Sequence, residues 1–139
     1  MYGPSRNYAD QYRKVGVSSR VADADPHKLV ALLFEGASER IRRAEAFLAQ
    51  GDHAMKGKAI GEACAIIGHL NGSLDHEAGG EIAGNLSALY DFVIQRLTEA
   101  NLNNDTRALH DSLAVMGEIE SAWNAIPSDQ RQRPAIAGT

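Results

Sequence analysis

Four stretches of this 139-residue chain place large apolar residues at three- and four-residue steps, and the breaks between them are short. Asp25-Pro26 reads as a helix start, because the carboxylate accepts from free backbone N–H groups and proline at the first helical position leaves no N–H unsatisfied. The first helix is predicted over residues 26–50. Gly51 can take the left-handed conformation that ends it, and Asp52 can cap the next. That second helix carries Met55, Ala59, Ala63, Ile66, Ile67, Leu70 and Leu74 and is expected to end near Asp75. Gly79-Gly80 makes the next break, after which Ile82, Leu86, Leu89, Tyr90, Val93 and Leu97 repeat to about Ala100. Asn101 to Asn104 supplies turn chemistry and Asp105 a cap. Leu109, Leu113, Met116, Ile119 and Trp123 continue the period until Pro127 stops it, close to Ile126.

No stretch alternates with period two, so an all-α, antiparallel up-down four-helix bundle over residues 26–126 is the expected architecture. Connectors this short force neighbouring helices to run antiparallel. Residues 1–25 are polar with isolated Tyr and Val and carry Gly3, Pro4 and Gly16, which reads as an N-terminal arm or short extra helix. Residues 127–139 are too polar to offset their ordering entropy and read as a mobile tail.

A net charge of -4 gives no general attraction to phosphate backbones, so nucleic acid is not an expected partner. The basic run Arg40-Ile41-Arg42-Arg43 sits beside Glu39 and Glu45 within a helical pattern and reads as a solvated face. The one cysteine, Cys64, permits no intrachain disulfide and fits a reducing compartment. No apolar run approaches membrane-spanning length and no secretory signal is visible, so neither membrane insertion nor export of the chain itself is expected.

The apolar faces carry the functional signal. On a helical wheel the large apolar residues around Leu29, Leu32, Leu33 and Phe34 cover an arc of about 200°. The third helix is similarly wide, with Phe92 and Ile94 on opposite flanks of the stripe containing Leu89 and Val93. A wide arc means either a central helix with neighbours on both sides or an apolar groove open to an amphipathic segment of a partner. Leu32, Leu33, Phe34, Leu89, Phe92, Val93 and Ile94 are therefore the candidate groove residues. Tyr8, Tyr12, Val15, Val17 and Val21 sit in an arm that cannot form its own core. They either close permanently over the bundle or occupy a groove that a partner later takes.

Catalytic patterns are missing. The histidines His27, His53, His69, His76 and His110 show no metal-ligand spacing, and neither a metal nor another cofactor is expected. Cys64 lies between Ile60 and Ile67, an apolar setting that keeps a thiol inert. The segment His69-Leu70-Asn71-Gly72-Ser73 superficially matches a histidine phosphotransfer bundle, the alternative reading. Its spacing is one residue short, and asparagine stands where a lysine would neutralise phosphoryl charge.

Several separated motifs then resemble one family. Tyr12-Arg13-Lys14-Val15-Gly16-Val17, Pro26-His27-Lys28-Leu29-Val30 and Leu33-Phe34-Glu35-Gly36-Ala37 are followed by Gly79-Gly80-Glu81-Ile82-Ala83, Asn85-Leu86 and Leu89-Tyr90-Asp91-Phe92. Arg96-Leu97, Glu99-Ala100-Asn101-Leu102, Asn104-Asp105 and Ala122-Trp123 complete the series. In order, over residues 8 to 126, they resemble the flagellar secretion chaperone family FliS. The resemblance implies a non-enzymatic cytoplasmic chaperone that binds the C-terminal segment of flagellin one to one. It further implies that the chaperone prevents premature polymerisation and presents its cargo to the export gate protein FlhA. It points to Tyr12 as the arm position most concerned with cargo gating or gate docking, with Tyr8, Val15 and Val17 beside it. Phe34 and Phe92 stand where family members often carry tyrosine, and Gln95 where a basic residue is common. Arm exchange between two cargo-free copies would give a homodimer, which the sequence leaves open.

Overall fold

The computed structural model describes residues 25–127. Within them four helices follow one another: α1 (Pro26–Ala49), α2 (His53–Gly72), α3 (His76–Asn103) and α4 (Thr106–Asn124). There are no strands among the described residues. The arm and almost all of the tail lie outside them.

Each helix begins on an aspartate. Asp25, Asp52, Asp75 and Asp105 accept from the backbone N–H of Lys28, Met55, Ala78 and Ala108 at 2.7, 3.1, 2.9 and 3.2 Å. Each such contact satisfies one of the N–H groups that a helix start leaves without an intrahelical acceptor, and puts negative charge against the positive end of the helix dipole. The expected left-handed stop at Gly51 is present, with φ +75.

Two boundaries differ from the sequence reading. The second helix stops at Gly72 rather than near Asp75, because Asp75 serves as the N-cap of α3. In consequence α3 starts at His76, three residues ahead of the glycine pair. Gly80 still interrupts it, at φ 51 and ψ -124, so a single turn precedes a kink and the long helix follows. Only glycine adopts those angles freely, having no Cβ to clash with its own backbone.

The helices close a ring in which α1 packs on α2 and α4, and α3 packs on α4 and α2. The α1–α2 pair is the most extensive and α2–α3 the thinnest. Small buried residues suit that close pairing: Gly36, Ala37 and Ala44 on α1, Ala59 and Ala63 on α2. Phe34, Ile41, Ile66, Ile67, Tyr90, Val93, Leu97, Leu109 and Met116 fill the centre. Arg40 departs from the solvated face expected of it: it is buried, whereas Arg42 and Arg43 are exposed. Its Nε lies 2.8 Å from Glu62 Oε1 on α2, an ion pair whose N–H is not aimed at the oxygen, and Nη1 donates to Glu39 at 3.1 Å. A buried guanidinium is tolerable only with such counter-charges nearby.

Polar side chains fasten both ends. Trp123 Nε1 donates to the His27 carbonyl at 2.9 Å, and His27 Nε2 lies 2.9 Å from the Trp123 carbonyl. Their rings stack at 4.5 Å. At the opposite end the buried Lys56 donates to the Asn101 carbonyl at 3.0 Å and to Asn104 Oδ1, placing a cation at the negative end of α3.

Candidate functional site

The structure separates the seven groove candidates into two classes. Leu32, Leu33, Phe34 and Val93 are buried in the core cluster. For α1 the wide apolar arc thus reflects burial among neighbours, and these four side chains are not an open groove surface in this conformation. Ile94 is half-buried against the core. Leu89 and Phe92 are each 41% exposed. The arm residues Tyr8, Tyr12, Val15 and Val17 lie outside the described residues.

The exposed pair belongs to a longer strip. Ile82, 64% exposed, precedes Leu89 by two helical turns on the same side of α3, and Phe92 follows Leu89 by three residues. From Ile82 to Phe92 the helix rises about 15 Å. Arg96, one turn beyond Phe92, shows which neighbour this flank faces, because its guanidinium reaches Asp111 on α4 at 2.8 Å and Glu99 at 2.7 Å. Val115, one turn beyond Asp111 on α4, is half-buried on the matching side. The outer seam between α3 and α4 therefore carries an apolar strip that the bundle leaves in water.

Charge at the end of this strip is internally balanced. Bonds from Glu99 first and Asp111 second push the Arg96 guanidinium further up from its ordinary range, so it stays charged and engaged. Arg107 adds a second contact to Asp111 at 3.5 Å. What the seam offers is apolar area rather than a directed charge or an acid–base pair. Such a surface suits the apolar face of an amphipathic helix.

Sequence reading missed Ile82 as a surface residue, because its spacing matches the core period. The signal was the glycine two positions earlier, whose kink puts Ile82 in the first turn of the resumed helix, where it is exposed. Leu102, 77% exposed, and Met55, 39% exposed, were also counted with helical periods or motifs. Asn101 and Asn103 on either side of Leu102 mark a helix end leaving the core.

The chemistry-bearing side chains are dispersed. Among the described residues no group of three or more His, Cys, Asp or Glu could hold a metal ion. His69 is exposed on α2, and Ser73, four residues on, donates to the Leu70 carbonyl at 3.0 Å as part of the helix end. Cys64 is half-buried and burial pushes its thiol up, which keeps it protonated. No helix among the described residues is long and apolar enough to cross a membrane.

Comparison with known proteins bears directly on this arrangement. The family described as "Flagellar protein FliS" matches residues 8–130. The chain is 47% identical over 116 residues to the flagellar secretion chaperone FliS of Salmonella typhimurium, covering 83% of this chain and 86% of that one. It is 44% identical over 116 residues to the flagellar secretion chaperone FliSB of Pseudomonas aeruginosa, covering 84% and 92%. With the Bacillus subtilis flagellar secretion chaperone FliS it shares 30% identity over 119 residues, covering 85% and 88%. Matches of this extent, on a bundle with an uncovered apolar seam, show that the chain belongs to the FliS family of flagellar secretion chaperones.

Proposed function

We propose that this chain is a cytoplasmic, non-enzymatic export chaperone. It holds the C-terminal segment of flagellin, prevents premature polymerisation and delivers the subunit to the export gate protein FlhA. The observation that carries the reading is the apolar strip Ile82, Leu89 and Phe92, left exposed on a bundle of the FliS family. A flagellin segment that becomes helical only on assembly exposes apolar side chains while free, and burying them on this strip competes with polymerisation. The family match begins at residue 8, so the arm positions Tyr8, Tyr12, Val15 and Val17 fall within it and are proposed to gate cargo or dock to FlhA.

The test is a titration of the full chain with flagellin and with flagellin lacking its C-terminal segment. One-to-one binding to the first and none to the second is expected. Equal binding to both would overturn the reading.

A further inference from the structure

We propose that the corner joining α2 to α3, residues 68–84, is an opening joint whose local unfolding lengthens the cargo strip. The inference rests on the cargo reading above and concerns its regulation. Five glycines fall in these residues: Gly68, Gly72, Gly79, Gly80 and Gly84. Gly80 needs to be glycine for its backbone, and Gly79 is buried. Gly68, Gly72 and Gly84 have no such reason. They lie within helices, and a Cβ added at any of them would meet nothing within 4 Å. Gly68 and Gly84 each lower the local helix equilibrium roughly fivefold relative to alanine, and Gly72, the last residue of α2, lowers it by less, with no packing gain in return.

The corner is also lightly anchored. It lies at the thinnest helix pair of the ring, and its buried apolar side chains are small in number: Leu70 and Ala83, with Leu74 half-covered. A hydrogen bond that ties it to the body of α3, from Asn71 to Asp91 at 3.1 Å, is solvent-exposed. The α3–α4 corner, by contrast, is clamped by the buried Lys56. Few buried contacts, exposed bonds and poor helix formers define a unit that opens well below the free energy of global unfolding. Opening here uncovers Leu70, Leu74 and Ala83 at the end of α3 where the strip begins with Ile82, adding apolar surface there. The population of this open state then sets how fast cargo is admitted.

Amide hydrogen exchange on the full chain, read by mass spectrometry, tests the joint. Peptides from residues 68–84 are expected to exchange at least about a hundredfold faster than those from the middle of α1. The triple variant Gly68→Ala, Gly72→Ala, Gly84→Ala should slow that exchange by at least about 25-fold, Gly68 and Gly84 each contributing roughly fivefold. Gly117→Ala, an equally open helical position on α4, serves as the control and should leave the corner unchanged. Association of the triple variant with the flagellin C-terminal segment should slow severalfold. Corner exchange no faster than in α1, or an unchanged association rate in a triple variant whose corner has been quieted, would overturn the proposal. Wild-type chain that binds no flagellin segment would sink the functional reading instead, and the exchange data would still decide whether the joint opens.

Discussion

Trp123 and His27 close one end of the bundle through bonds no sequence pattern announces. The two residues are 96 positions apart, and each ring nitrogen meets the other residue's carbonyl. Phe34 meets the same indole edge-on, with centroids 6.1 Å apart. Trp123→Phe keeps a ring in place but removes the N–H and leaves the His27 carbonyl short of a donor. A loss of about 2 kcal/mol in denaturant unfolding is expected, from the lost bond together with the lost volume. Glu120 is held above its ordinary value of 4.5, first by burial and then by Glu35, with Arg42 and the poorly aligned Ser38 hydroxyl opposing. The folded state therefore binds its proton more tightly than the unfolded state does. The stabilising contribution is complete below pH 4.5 and is lost as pH rises through the higher folded value. At neutral pH Glu120→Gln should consequently raise the melting temperature, and the gain should shrink as pH falls toward 4.5. An equal gain at every pH would show that ionisation is not responsible.

At the scale of elements, the starts of the helices were legible and their ends less so. Asp25-Pro26, Asp52 and Asp105 announce caps because the side chain that accepts the first N–H groups is local to the helix it starts. Asp75 went unread as a cap because apolar spacing carries through Leu70 and Leu74 without showing where the backbone leaves the helix. The Gly79-Gly80 break was visible, but the turn of helix ahead of it was not, since one turn has no period to detect. Gly80→Ala places a Cβ on a backbone at φ 51 and ψ -124. It should destabilise the chain by about 1–3 kcal/mol, with the loss concentrated in residues 76–79. Hydrogen exchange confined to that turn, together with a lowered melting temperature, is the expected result.

For the whole molecule, the apolar content of α1 and α3 looked alike in sequence and proved opposite in fate. Leu32, Leu33 and Phe34 are buried within the most tightly packed side of the ring, whereas Leu89 and Phe92 lie on the outer flank of α3 beside α4. The double variant Leu89→Glu, Phe92→Glu should unfold within about 0.5 kcal/mol of wild type, as expected for changes at exposed positions. It should nonetheless lose binding of the flagellin C-terminal segment. A large fall in stability would instead identify the pair as structural.

The amino-acid sequence by itself determined the all-α class, the number of helices, the capped starts of three of them and the family. Each of these follows from contacts within a few residues or from motifs readable in a line. Only the tertiary structure decided which apolar side chains face water, how Arg40 and Lys56 are accommodated inside, and which neighbour the strip on α3 adjoins. Those outcomes depend on how closely helices distant in the chain approach one another, and the periodicity of a single helix carries no information about that distance.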